Sequence, residues 1–315
     1  MIELAIFVKT YRPDAHLVGR LLSSARRFNV DGIPILLAVP DDDVAFFSTI
    51  SDYDLVRVVP ESAFGAPVLT EKVNNFAPGY IQQQMIKLSA HRLGAAEHYL
   101  TLDSDSFFIR DFSHADFLDV SGRCFSVLTE DKDQFADPSY APFAGLRGQM
   151  VNAIADYFSI PPHPRATCHN NTILSADVLA SLEQWRSEKG LSLLNLMEIA
   201  PLEYSWYNFY LQRYHPERVI PIEPLLRMFH TRTEFRSLRA QGMTVATLSR
   251  SYIGICINSG WAGRDQNRLV RKLARSSARA RARISRDQFR YNLHNRFEWH
   301  REQRANAHQN EPPTA

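Results

Sequence analysis

The sequence has few cysteines, and this scarcity narrows the classes of protein to which it can belong. Its three cysteines, Cys124, Cys168 and Cys256, are odd in number, and no two of them have C-x-x-C spacing. We therefore expect neither a disulfide scaffold nor a cysteine-based metal or redox site. The thiols are expected to be buried or idle in a reducing compartment.

Long apolar runs are also missing. The apolar run at residues 4–8 is too short for the core of a signal peptide, and no basic residues lead into it. No stretch approaches the ~20 apolar residues that a membrane span needs. We therefore expect a cytoplasmic protein, or one bound peripherally at the inner face of a membrane.

The overall composition is that of a globular protein with a basic end. Of the 315 residues, 45% are hydrophobic and 22% charged, which allows a sizeable core. The net charge is +2, but residues 264–304 contain thirteen basic and four acidic side chains, so the remainder is acidic. We divide the chain into an α/β catalytic domain over 1–262, a basic helical appendage over 263–305 and a disordered tail over 306–315.

Strand and helix patterns alternate along the first part of the chain. Continuous apolar runs predict buried strands over 3–9, 33–39 and 55–59, and helical spacing predicts helices over 16–28 and 44–50. A helix over 80–93, with Gly94 as its stop, leads to a strand over 98–102. Further on, we predict a strand over 123–128 and helices over 176–189 and 203–214. This order predicts a Rossmann-like α/β fold with a mostly parallel central sheet flanked by helices.

Two aspartates, Asp103 and Asp105, directly follow the predicted strand over 98–102. Open α/β sheets bind ligands at the carboxyl ends of their strands. Two carboxylates this close repel each other without a cation, and Mg²⁺ and Mn²⁺ prefer oxygen ligands while leaving positions for substrate phosphates. We therefore predict that Asp103 and Asp105 bind a divalent metal ion.

The segments QQMIKL at 83–88 and YLTLDSDSFF at 99–108 resemble the glycosyltransferases of the GT-A fold. They are similar in particular to uncharacterised bacterial glycosyltransferase-like families with a DSD motif. The resemblance, mapped over residues 1–260, implies that the D-x-D pair holds Mn²⁺ or Mg²⁺ and that the metal holds the diphosphate of a nucleotide-sugar donor. It also implies that Asp105 is the stronger metal ligand and that Asp103 contacts the ribose or shares the metal. Lys87 would face the donor sugar or diphosphate.

The same resemblance implies further contacts to the donor and the metal. The loop after the first strand would line the nucleotide base, with Tyr11 stacking on it and Thr10 hydrogen-bonding to it. Asn170 and Asn171 lie in a segment similar to the N-x-G motif, although the glycine is missing, and would bind sugar hydroxyls. His230 is the late histidine that would serve as a third protein ligand of the metal.

Two residues are predicted to act in catalysis. Glu203 lies in PLEYSWYN at 201–208, which is similar to the family's SEYxxYxxY segment, and would bind an acceptor hydroxyl or act as its general base. Lys87 would stabilise the charge that develops on the leaving diphosphate. The predicted function is a metal-dependent hexosyltransferase that acts on a saccharide or lipid-linked acceptor in the synthesis of a surface polysaccharide or glycolipid.

Two alternatives remain open from the residues alone. A phosphatase of the haloacid dehalogenase type also uses D-x-D after a strand, with the first aspartate as nucleophile, but its motif is normally on the first strand. A non-enzymatic protein could bind RNA or anionic membrane through the arginines and aromatics after residue 264. Between these two partners the membrane suits a lipid-linked acceptor, and nucleic acid is not the expected partner.

Overall fold

The computed structural model describes residues 2–50, 53–128, 141–160 and 171–259. The strands, in chain order, are β1 (Ile2–Lys9), β2 (Ile35–Val39), β3 (Val56–Pro60), β4 (Ala96–Asp103), β5 (Ser106–Phe108), β6 (Ser126–Val127), β7 (Ile173–Ser175), β8 (Pro221–Ile222), β9 (Leu226–Phe229) and β10 (Gly254–Ile257). The helices are α1 (Ala15–Phe28), α2 (Val44–Ile50), α3 (Pro78–Leu88), α4 (Ala141–Tyr157), α5 (Ala176–Glu188), α6 (Leu193–Ile199), α7 (Glu203–Tyr214), α8 (Arg232–Ala240) and α9 (Val245–Leu248).

A five-stranded sheet in the order β3-β2-β1-β4-β7 forms the centre of the molecule. β3, β2, β1 and β4 run parallel to one another, and β7 is antiparallel to β4. β1 is buried on both faces because its side chains alternate between two apolar clusters. Phe7 packs with Ile81 and Met85 of α3 on one face, and Ile6 packs with Leu21 of α1 on the other. Burial on both faces is typical of parallel strands, whose crossover helices cover the sheet.

A second, three-stranded sheet lies beside the first and has the order β5-β10-β9. β10 is antiparallel to β5 and parallel to β9. The two residues between β4 and β5 are Ser104 and Asp105, so the predicted metal-binding segment joins the two sheets.

The predicted α/β class, with a mostly parallel central sheet flanked by helices, is confirmed. The predicted helix over 80–93 was wrong at its end, because α3 stops at Leu88 and a separate 3₁₀ turn covers Ala90–Leu93. At this break the Ser89 N–H is shared between the Met85 carbonyl at 3.1 Å and the Ile86 carbonyl at 3.0 Å, and the second bond has the tighter 3₁₀ spacing. Gly94 ends the turn with a φ of +57°, as its role of stop signal requires.

The remaining predicted elements had different outcomes. The strand over 123–128 shrinks to β6, and Cys124 forms only an isolated bridge with Leu118. The helix predicted over 203–214 coincides with α7. The boundary at 262, the appendage over 263–305, the tail over 306–315 and Cys168 all lie outside the described residues. Within the described ranges no helix is both long and apolar enough to cross a bilayer.

Candidate active site

The DSD segment begins at the carboxyl end of a central strand. Asp103 is the last residue of β4, and the parallel register pairs it with Lys9, the last residue of β1. β2 and β3 end on the same side of the sheet because they run parallel to β1. The sequence therefore brings the predicted metal ligands to the edge at which ligands bind in sheets of this kind.

Asp103 is held by two side chains from α3. Lys87 Nζ donates to Asp103 Oδ1 at 2.9 Å, and Gln83 Nε2 donates to the same oxygen at 2.8 Å. The two donors are one helical turn apart, so they lie on one face of α3. The Asp103 side chain is 28% exposed, and among the residues that the structure describes its Oδ2 accepts no hydrogen bond. One oxygen is thus fixed while the other stays open to a ligand.

Lys87 also forms a buried ion pair with Glu203 at the start of α7. Its Nζ lies 3.0 Å from Glu203 Oε1, and each of these side chains is only 2% exposed. Burial opposes the charge on Lys87, but Asp103 and Glu203 outweigh it and raise the pKa of Lys87 well above its ordinary value. The Tyr204 ring, with its centroid 4.8 Å from Nζ, adds a cation–π contact. Lys87 is therefore a permanent cation in the protein interior.

The surroundings of Glu203 bear on its predicted role as a general base. Burial raises the pKa of Glu203, and Lys87 opposes this rise. The Gln84 side-chain amide also faces the Glu203 carboxylate. Glu203 is 1% exposed, and its carboxylate pairs with Lys87 in this arrangement. Its role toward an acceptor hydroxyl stays a prediction.

Asp105 is the more buried member of the aspartate pair, at 8% exposure. Cys256 Sγ donates to Asp105 Oδ1 at 2.9 Å, and the Ser259 backbone N–H donates to Oδ2 at 2.8 Å. Burial, and next the charge of Asp103, raises the pKa of Asp105 from 3.8 to about 6. Burial and the charge of Asp103 thus both disfavour an ionised Asp105, even though Lys87 pairs with Asp103 and Arg20 donates to the Asp105 carbonyl.

The two aspartates fit a divalent cation that shares its coordination with substrate. No group of three or more His, Cys, Asp or Glu side chains suited to a metal is found in residues 2–50, 53–128, 141–160 and 171–259. Two carboxylates nevertheless match the way Mg²⁺ is commonly bound, by one or two carboxylates together with phosphate oxygens and water. A bound cation would also relieve the repulsion that raises the pKa of Asp105.

A cleft of ≈ 510 Å³ lies next to the DSD segment. It is lined by the ends of β1, β2 and β3, by the start of α3 and by Ser104; the lining residues are Lys9, Thr10, Tyr11, Asp14, Pro40, Glu61, Val68, Leu69, Ala77, Pro78, Gly79, Tyr80, Gln82, Gln83 and Ser104. Its volume is typical of small-molecule sites. Asp103 is connected to the cleft through two residues of its lining, because Gln83 donates a hydrogen bond to it and Ser104 is the next residue in the chain.

Thr10 and Tyr11 are both in the lining of this cleft. The Thr10 hydroxyl is buried and has no hydrogen-bond partner within the described part of the chain. The Tyr11 ring is 46% exposed, which leaves a face open for stacking. Lys9, at the same strand end, is engaged by Glu61 at 2.6 Å and by the Thr10 carbonyl at 2.9 Å. The cleft thus combines an exposed ring, a buried hydroxyl and a paired cation.

The other predicted ligands lie farther from the aspartates. His230 follows β9 at the same edge of the small sheet as Asp105, but β10 lies between β9 and β5. Two strand spacings amount to ~10 Å between the backbones. Asn171 is fully buried, its Oδ1 accepts from the Leu225 N–H at 3.3 Å, and extension of the β4–β7 register puts it beside Leu102. Asn170 lies outside the described residues.

Several residues of the site carried no predicted role. Gln83 begins the segment QQMIKL at 83–88. Its one-turn spacing from Lys87 was a signal that both side chains lie on the same face of the helix. Cys256 lies within a late apolar run and Ser259 follows it, but no local pattern links either residue to Asp105. Asp14 accepts a hydrogen bond from Ser104 Oγ at 3.1 Å in the cleft wall, and burial raises its pKa. The contacts of Cys256, Ser259 and Asp14 are not encoded by spacing alone.

The raised pKa of Asp105 predicts how the stability of the metal-free protein depends on pH. A carboxyl group with a higher pKa in the folded than in the unfolded state binds its proton more tightly when folded. The free energy of unfolding therefore falls as pH rises from about 4 to about 6. In the wild-type protein the free energy of unfolding should decline by up to about 3 kcal/mol over this interval. The Asp105→Asn variant should not show this decline. Urea unfolding across a pH series in chelator measures it, and parallel curves for variant and wild type would contradict it.

Comparison with known proteins gives a family and a distant structural likeness. A model of DUF6492, described as a family of unknown function, matches residues 2–217. The crystal structure of mouse xyloside xylosyltransferase 1 in its apo form is similar with a TM-score of 0.44 and 11% sequence identity. That likeness covers 82% of this chain and 98% of the mouse chain. No curated protein matches the chain.

Proposed function

The chain belongs to DUF6492, a family of unknown function, and we propose that it is a metal-dependent glycosyltransferase that uses a nucleotide-sugar donor. One observation carries the proposal. Two aspartates lie at the end of a central parallel strand, and Ser104 between them lines a cleft of ≈ 510 Å³ at the carboxyl ends of the neighbouring strands. This combination suits a ligand that has both a metal-binding diphosphate and an organic body.

The cleft would receive the nucleoside part of the donor. Tyr11 would stack on the base, and the buried Thr10 hydroxyl would find in the nucleoside the partner that the described chain does not supply. Base–aromatic stacking contributes ~1–3 kcal/mol per base in other nucleotide-binding proteins. The diphosphate would then extend from the cleft toward the DSD segment.

Asp103 and Asp105 would hold Mn²⁺ or Mg²⁺ at this point. When bound, the cation would stabilise the negative charge that develops on the nucleoside diphosphate as the glycosidic bond breaks. Asp103 has one oxygen free of described donors, whereas Asp105 accepts a bond on each oxygen and keeps further lone pairs. The roles of His230 and Asn171 as metal and sugar ligands stay predictions, as does that of Asn170.

Lys87 and Glu203 would act by positioning rather than by proton transfer. The cation of Lys87 fixes one oxygen of Asp103, and Glu203 balances the charge of Lys87 in the core. This arrangement holds Asp103 in one orientation without occupying its second oxygen. The acceptor is proposed to be a saccharide or a lipid-linked saccharide, which fits a role in the synthesis of a surface polysaccharide or glycolipid.

A thermal-shift screen of UDP-, GDP- and dTDP-sugars, with and without Mn²⁺, tests the proposal. We expect one nucleotide class to raise the melting temperature in Mn²⁺ and to lose this effect in chelator, because the metal links diphosphate to protein. Absence of any metal-dependent stabilisation would contradict the proposal. Robust hydrolysis of p-nitrophenyl phosphate would instead favour the phosphatase alternative.

A further inference from the structure

The carboxylate of Asp105 receives its hydrogen bonds from residues late in the chain, whereas Arg20 of α1 donates to the Asp105 carbonyl at 3.2 Å. β10 pairs with β5 so that Cys256 lies opposite Ser106, and the Ile257 N–H donates to the Asp105 carbonyl at 3.3 Å. This pairing brings Cys256 Sγ to 2.9 Å from Asp105 Oδ1, while the Ser259 N–H reaches Oδ2. The backbone and the carboxylate of Asp105 are thus both fixed by β10 and the residues after it.

The thiol is suited to holding a carboxylate without displacing a cation from it. Cys256 is buried, and its neutral thiol has one proton to donate to Asp105 Oδ1. Each carboxylate oxygen has two lone pairs. Asp105 can therefore accept from Cys256 and Ser259 and still present a lone pair on each oxygen to a metal.

We propose that Cys256 is a positioning residue that fixes the Asp105 carboxylate in the orientation in which it binds the divalent cation. This inference rests on the proposed function, because it takes Asp105 to be a metal ligand. It goes further by assigning a role in that site to a residue of β10. Groups that orient metal ligands typically account for ~10–100-fold in metal affinity.

Titration of the metal-free protein with Mn²⁺ alone, followed by calorimetry and by electron paramagnetic resonance, tests the role of Cys256. We expect Cys256→Ala to weaken Mn²⁺ binding about tenfold or more. Cys256→Ser, which keeps a donor at the same position, should retain most of the affinity. Cys124→Ala is the matched control, since Cys124 is also a buried thiol but packs in the apolar cluster with Phe117 and Leu118. It should leave Mn²⁺ affinity unchanged.

Cys256→Val is the second test in case the alanine variant does not fold, because valine fills the space of the thiol but cannot donate a hydrogen bond. It should weaken Mn²⁺ binding as alanine does. Wild-type affinity in the alanine or the valine variant would overturn the role of Cys256 and leave the proposed function standing. A wild-type protein that binds no Mn²⁺ would overturn both. Urea unfolding of each variant separates a loss of affinity from a loss of fold.

Discussion

Replacing Asp103 by asparagine should reduce sugar transfer and donor hydrolysis by ~10²–10³-fold while leaving the fold intact. Asparagine has the same shape as aspartate, and its amide oxygen can still accept from Lys87 and Gln83. What it lacks is the negative charge and the second carboxylate oxygen that we propose for metal binding. The loss should therefore appear in turnover and in Mn²⁺ affinity, and much less in the free energy of unfolding.

The matched control is Glu97→Gln, because Glu97 is an exposed carboxylate on the same strand, near the opposite end of β4. It removes the same charge without touching the DSD segment and should leave both Mn²⁺ affinity and turnover unchanged. Turnover is measured with the donor identified by thermal shift. An Asp103→Asn variant that keeps Mn²⁺-dependent turnover at the wild-type rate would rule out Asp103 as a metal ligand.

Lys87→Met should lower the free energy of unfolding by about 3–5 kcal/mol, because it removes the buried cation that balances the charge of Glu203 in the core. Glu203→Gln should cost less, since Lys87 would still be paired with Asp103. The double variant, Lys87→Met with Glu203→Gln, should be more stable than Lys87→Met alone. The buried anion that causes most of the loss is then absent, and this non-additivity is the signature of a coupled pair.

Urea unfolding of the three variants measures these differences, and pH supplies an independent check. In Lys87→Met the pKa of Glu203 loses the influence that opposes its rise, so this variant should recover stability as pH falls and Glu203 takes up a proton. Lys189→Met is the control for charge removal, because Lys189 is an exposed lysine at the end of α5. A Lys87→Met variant as stable as the Lys189→Met control would show that the buried pair is not coupled.

The fold could be predicted from the sequence where each element carries its own signal. β1 is apolar at successive positions because both of its faces are covered, and α1 has apolar residues on the one face that packs on the sheet. The end of α3 was predicted wrongly, because the Ser89 N–H also bonds to the Ile86 carbonyl with 3₁₀ spacing and no apolar pattern reports that bond. Local patterns thus predicted which elements form better than where they end.

The candidate site was predictable only in its local part. Asp103 and Asp105 are separated by a single residue and follow an apolar run, so the position of the DSD segment at a strand end could be inferred. The Lys87–Glu203 pair joins residues 116 apart, and the Cys256–Asp105 bond joins residues 151 apart. Such contacts depend on how helices and sheets pack, and spacing along the chain does not encode that.

The placement of β10 in the middle of the three-stranded sheet also determines when that sheet can form during synthesis of the protein. β5 leaves the ribosome long before β10, yet β10 must lie between β5 and β9 before that sheet is complete. Cys256 follows Asp105 by 151 residues, which at roughly 5–20 residues per second corresponds to about 8–30 seconds of translation. Until then Asp105 lacks the two donors that fix its carboxylate, so every strand of the large sheet is synthesised before the aspartate site can be completed.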